Sequence, residues 1–200
     1  MKLEQARRIG MVVVEMLAPA CERERVGVAG SVLRGKAEPK DIEIVYIPRL
    51  VEERINLFEV AQVPATEGRI AELVRAGFWR FDVEVRRNGP KYKRLVHEAS
   101  GMVVELFRAE MGNWGLVLAL RTGPGDFNHL LVTRFRGAMP GNMVMRDGWL
   151  WRAGRRVETP TEEAFFEALG VPWWPPQERT VGRLGEWLVE SRTHKGCYRA

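Results

Sequence analysis

The chain predicts an α+β protein in two units. Residues 1–112 read as a mixed or antiparallel sheet with flanking helices, 113–180 as a smaller α+β unit, and 181–200 as a basic C-terminal extension. Three observations predict this. Alternating runs rich in β-branched and aromatic residues, the mark of half-buried strands, cluster at 41–47 and between 79 and 108. Apolar residues at helical spacing lie at 2–18 and 66–76. After residue 112 the texture shifts to short apolar segments cut by glycine and proline.

Taken in order, the helix over 2–18 groups Ile9, Val12, Val13, Met16 and Leu17 on one face. A short apolar strand over 25–29 runs into a Gly30-Ser31 turn, and the strand over 41–47 is closed by Pro48. The helix over 66–76 carries Ile70, Leu73 and Val74 and stops at Gly77. Strands follow at 79–85, 91–97 and 102–108, the first two joined at Asn88-Gly89, a strong hairpin signal. In the second unit, 114–120 is an apolar helix or strand, broken by Arg121-Thr122-Gly123-Pro124-Gly125, and 126–136 is a helix. Asp147-Gly148 turns a tight hairpin between 143–145 and 150–152. Thr159-Pro160-Thr161-Glu162 fits a capping box with proline at the first helical position, opening a helix that ends at Gly170. The stretch 171–176, with Trp173, Trp174 and three prolines, is an extended docking segment.

With 200 residues and 46% hydrophobic content, the chain can bury a substantial core. Its net charge of +5 is mild and divided between both halves, which suits a nucleic-acid partner without establishing one. Cys21 and Cys197 are the only cysteines, so neither a disulfide framework nor a zinc cluster is expected, and a cytoplasmic setting fits. Residues 11–21 faintly imitate a secretory or lipoprotein signal, but Glu4 and Glu15 interrupt a run that is already too short. No window approaches transmembrane length, so no membrane partner is expected.

The chemistry concentrates at 30–43. A glycine turn with Arg34 and Lys36 precedes Asp41 and Glu43, and on an extended strand the i, i+2 spacing puts both carboxylates on one face. Two adjacent acids repel, and a divalent cation is the commonest reason to keep them together. Gly30 to Lys36 also satisfies G-x-x-x-x-G-K. However, Ala37 stands where a P-loop needs Ser or Thr, and Glu38-Pro39 leads to a strand where a P-loop needs a long helix.

With the acids included, the segment resembles the nucleotidyltransferase signature of DNA polymerase beta and its family X relatives: a Gly-Ser pair, an Arg-Gly, then an acid-x-acid strand. The resemblance implies a nucleotidyltransferase palm over 1–112 and a thumb-type subdomain over 113–180. It implies that Gly30, Ser31 and Arg34 meet the triphosphate, and that Asp41 and Glu43 hold two Mg2+ ions, with Mn2+ a possible substitute. Such chemistry needs a third carboxylate. Glu105, the lone acid of an apolar strand, is the candidate, while Asp82-Val83-Glu84 reads as the polar face of a hairpin strand. Downstream, Asn113-Trp114-Gly115 through Thr122-Gly123 and Phe127-Asn128 resembles the passage from palm to thumb, which implies that Thr122, Gly123 and Asn128 shape the nucleotide pocket. The likeness runs in order to about residue 180 and is closest to the compact viral, phage-like members. Glu43 and Glu105 stand where the family usually has aspartate, and Leu120-Arg121 where its animal members have Tyr-Phe. There is no room within 200 residues for a lyase domain, so no deoxyribose-phosphate lyase activity is expected.

The implied activity is addition of deoxynucleotides from dNTPs to a primer 3′-hydroxyl on primed or gapped DNA, by a monomer in a bacterial or phage-infected cytoplasm. Arg86, Arg87, Lys91, Lys93 and Arg94 gather at the Asn88-Gly89 turn and are candidate contacts to the DNA backbone, against a plain solvated hairpin tip. Trp149 and Trp151 alternate on a strand and share a face, either as packing or as a base-stacking platform. Two other readings stay open. One is a template-independent nucleotidyltransferase acting on RNA, protein or a small molecule. The other is a non-catalytic nucleic-acid binder with a decayed site.

Overall fold

The computed structural model describes residues 1–54, 56–83, 88–133 and 143–196, with 192–196 by backbone alone. Helix α1 (Leu3–Leu17) leads to β1 (Cys21–Val28), and a single-turn helix α2 (Gly30–Leu33) leads to β2 (Asp41–Pro48). A hairpin of β3 (Leu50–Arg54) and β4 (Val60–Pro64) precedes α3 (Ala65–Arg75), then β5 (Trp79–Phe81), β6 (Tyr92–His97) and β7 (Met102–Arg108). The second unit holds α4 (Trp114–Thr122), α5 (Gly125–Thr133), β8 (Met143–Arg146), β9 (Trp149–Arg152), β10 (Arg155–Val157), α6 (Glu162–Ala168) and α7 (Val181–Gly196).

The main sheet is mixed, in the order β1-β2-β7-β6-β5. β2 and β7 run parallel at its centre, and the other pairs are antiparallel. Strand alternation splits the sheet chemically. One face presents Ile42, Ile44, Tyr46, Leu95, Val104 and Leu106 to α1 and α3, and this is the main core. The other presents Asp41 and Glu43 from β2 and Glu105 from β7, then Val45, Ile47 and Phe107, which pack with Ala29, Ala109 and Trp114.

Helix α4 belongs to both units. Its Trp114, Val117 and Leu118 lie against the sheet, whereas Leu116 and Ala119 enter the second core with Phe127, Leu131, Leu150, Phe165 and Phe166. The approach of α4 to α6 is close enough that a Cβ at Gly115 would overlap the Thr161 carbonyl. Arg179, fully buried, braces this unit through a bidentate bond to Glu162 at 2.8 and 2.9 Å and a third donation to the Trp174 carbonyl.

Several expectations shift. The cap of α6 is Thr161, whose hydroxyl accepts from the Ala164 amide, so Thr159 and Pro160 lie ahead of the helix. Residues 114–122 are helical, and 181–196, expected as an extension, form α7 with Leu184 and Leu188 in the second core. The β3–β4 hairpin and β10 were not anticipated. The ends of the expected elements at 79–85 and 126–136 fall outside the described residues.

Candidate active site

The register of the central parallel pair builds the site. Glu43 lies directly beside Glu105, and Asp41 beside Val103, so the three expected acids share one patch on one face. A left-handed Gly30 (φ 64°) brings the Gly-Ser turn onto it, and any Cβ there would overlap the Glu43 carboxylate. Glycine is required at this point both for the backbone angle and for the space. The Ser31 hydroxyl oxygen is buried and has no hydrogen-bond partner among the described residues. Orphaned buried hydroxyls are uncommon in folded proteins and invite a ligand.

Burial and mutual repulsion disfavour the charged form of two of the acids. Burial, then repulsion from Glu105, holds the Asp41 carboxyl above its ordinary range, against the pull of Arg94 and Lys36. Burial and the charges of Asp41 and Glu105 push Glu43 up to about 7, with Arg121 and Arg34 opposing. A patch of this kind attracts cations. Even so, no group of three His, Cys, Asp or Glu side chains stands among the described residues as a ready metal cage. Glu105 is engaged elsewhere: its Oε1 accepts from Tyr92 Oη at 2.6 Å and from Arg94 Nη1 at 2.7 Å.

The other expected site residues divide. Arg34 reaches across to the second unit, where Nη1 donates to the Thr122 carbonyl at 2.6 Å. Thr122 itself is fully buried. Asn128 turns inward and closes the end of α4, donating from Nδ2 to the carbonyls of Leu120 at 2.7 Å and Gly123 at 3.0 Å. Gly123 lies so close to Asn128 that a Cβ would overlap its amide. Thr122, Gly123 and Asn128 therefore shape the turn, and the Thr122 hydroxyl and Asn128 Oδ1 are buried there without a hydrogen-bond partner among the described residues.

The cationic hairpin tip is redistributed by strand alternation. Lys93 points to the core face, is 8% exposed, and pairs with Glu67 of α3 at 2.9 Å. Arg94 points to the acidic face, where its Nε donates to Asp82 at 2.8 Å. Lys93 is thus turned away from the acidic face, whereas Arg94 lines the cavity beside Glu105. Lys91 is exposed and donates to the Asp147 carbonyl at 3.0 Å. Arg86 and Arg87 lie outside the described residues.

Around Glu105, sequence reading named Lys91 and Arg94 but did not assign Tyr92, Phe107, Arg108 or Arg121 to the site. A cavity of about 590 Å³ opens there, lined by Lys91, Tyr92, Arg94, Phe107, Arg108 and Arg121 among others. The Arg121 guanidinium lies 4.0 Å over the Phe107 ring. A groove of about 640 Å³ between the β3–β4 hairpin and α3 shares no residue with the acidic face. On the outer sheet of the second unit Arg146 and Arg156 sit over the Trp151 ring, and Arg156 also over Trp149. Trp149 is buried by this packing, which leaves Trp151 as the more accessible ring.

Fold and site together define an α+β protein with a mixed five-stranded sheet, an acidic patch at its centre and a second α+β unit joined through α4. Residues 117–180 match the family model described as DNA polymerase beta thumb. Over that stretch, about a third of the chain, the protein is similar to the thumb of the polymerase beta-like family X proteins. No curated protein matches it.

Proposed function

We propose that this protein is a DNA polymerase that extends a primer 3′-hydroxyl with deoxynucleotides, filling gaps in duplex DNA. One observation carries the reading: Asp41, Glu43 and Glu105 lie together on adjacent parallel strands beneath a left-handed glycine and an unpartnered buried serine hydroxyl. The polymerase beta thumb match over 117–180 supports DNA as the partner, as does the Trp151 ring flanked by arginines.

The donor set fits divalent ions of the magnesium type, since it offers carboxylate oxygens from three acids on one face. Asp41, Glu43 and Glu105 would hold two such ions, Mg2+ or in its place Mn2+. When bound, they would neutralise triphosphate charge and lower the pKa of the attacking hydroxyl. The protein's own part is positioning. Gly30 lets the phosphates reach the backbone, the Ser31 hydroxyl donates to a phosphate oxygen, and Arg34 exchanges its Thr122 carbonyl for the β or γ phosphate. The primer hydroxyl loses its proton to solvent as its oxygen bonds to the α-phosphorus, the bond from that phosphorus to the bridging oxygen breaks, and pyrophosphate leaves. The primer terminus would lie in the cavity beside Glu105, so that Glu105 is the carboxylate next to its hydroxyl.

The test is extension of a labelled primer on one-nucleotide-gapped DNA with Mg2+, offering each dNTP separately. Insertion of the template's complement, lost in Asp41→Ala, is the expected result. Insertion indifferent to template would instead indicate a template-independent transferase. No insertion on any primer would leave a binding role.

A further inference from the structure

The search for further chemistry leads to the far side of Glu105, away from the phosphate turn. Tyr92 and Arg94 stand two residues apart on β6, on the same face, and Arg94 lies directly opposite Glu105 across the ladder. Both donate to the same atom, Glu105 Oε1. No hydrogen bond from the described residues reaches Oε2. Arg94 is held from behind: Nε donates to Asp82, a carboxylate only 10% exposed, and its backbone amide donates to Asn88 Oδ1 at 2.8 Å. Tyr92 is held by ring packing on Phe107, with centroids 5.2 Å apart. The fork geometry of a guanidinium suits this two-sided grip, since it offers donors in fixed directions to two acids at once.

We infer that Tyr92 and Arg94 are positioning residues for Glu105. They fix one carboxylate oxygen, leave the other for the ligand of the acidic face, and Arg94 sets how strongly that face binds a cation. The inference rests on the nucleotidyl-transfer reading for its kinetic consequence but not for its effect on cation binding. Arg94 brings a positive charge into direct contact with one of three acids, so it competes with any bound ion while aligning the carboxylate. Its removal therefore separates two quantities that a merely structural residue would move together: the cation binds more tightly and turnover falls. Tyr92 carries no charge, so loss of its hydroxyl affects alignment alone.

Two readouts on the full-length protein test this. Mn2+ binding to the protein alone is followed by the free-ion electron paramagnetic resonance signal, and gap-filling extension gives kcat and the KM for dNTP. Arg94→Met is expected to tighten Mn2+ binding about tenfold, the scale of one charge-assisted contact. It is also expected to lower kcat about ten- to a hundredfold, with KM for dNTP unchanged. Tyr92→Phe is expected to lower kcat about three- to tenfold without changing Mn2+ affinity, as for one lost hydrogen bond. Arg80→Met, which removes an ion pair with Glu98 at the sheet edge, serves as the control and moves neither readout. Weaker or unchanged Mn2+ binding in a folded Arg94→Met overturns the inference. So does an unchanged kcat in Tyr92→Phe, which decides the matter if Arg94→Met does not fold. If the wild type extends no primer while Arg94→Met still tightens Mn2+, the polymerase reading fails and the grip on Glu105 stands. Failure of both readouts removes both.

Discussion

The two faces of the central strands follow opposite rules although their residues alternate along the same backbone. On the α1/α3 side of the sheet, Ile42, Ile44, Val104 and Leu106 of β2 and β7 are fully buried, and a charge that intrudes from β6, Lys93, is paired with Glu67. On the other side, Asp41 and Glu43 repel each other and Glu105, and both are held above the ordinary carboxylate range. Burying like charges together is unfavourable unless something offsets it. The helix-covered face supplies stability that offsets the acidic patch on its reverse.

The contrast can be broken at either face. The largest effect is expected from Asp41→Asn, which should cut extension by at least about a thousandfold while leaving the melting temperature equal or higher. Leu106→Ala, one β7 position along from Glu105, should do the reverse. It loses about 2–5 kcal/mol in urea unfolding, and turnover per folded molecule is kept. Gly30→Ala should do both, costing about 1–3 kcal/mol because of the left-handed backbone and weakening nucleotide binding by crowding Glu43.

The pH dependence sharpens the same comparison. Glu43 is raised from 4.5 to about 7 in the folded protein, so between those values the native state binds more protons than the unfolded chain. Stability from this group is full below about pH 4.5 and is lost as the pH rises through 7. Melting curves across that window should decline with pH in the wild type and flatten in Glu43→Gln. The smallest effect is expected from Lys93→Met, under about 1 kcal/mol because Glu67 is half exposed and can rehydrate. DNA affinity in a gel-shift titration should not change, since Lys93 points away from the acidic face.

The sequence made some of this legible and hid the rest for physical reasons. Met102–Arg108 and the pairing of Asp41 with Glu43 were readable because period-two alternation is a local signal. Glu105 could be chosen because a lone acid in an apolar strand is conspicuous. The division of Lys93 from Arg94 was not readable, because two neighbouring cations in a charged run reveal their separate faces only once a helix covers one of them. The pairing of Arg94 with Glu105 depends on the β6–β7 register, which is set between strands. The β3–β4 hairpin was hidden by Glu52, Glu53 and Arg54, whose charges erase the apolar half of the alternation. In α7 the core contacts come from Leu184, Leu188 and the partly buried Trp187, set among charges and glycines and too sparse to announce a core helix.

The most direct test of an acidic face kept open for a cation–nucleotide complex is thermal melting of the full chain with and without Mg2+ and a non-hydrolysable dNTP analogue. The expected result is a rise of several degrees in the wild type and none in Asp41→Asn, which melts no lower than the wild type when neither is added. An Asp41→Asn protein that melts lower without ligand, yet shifts as far as the wild type with it, would contradict that claim.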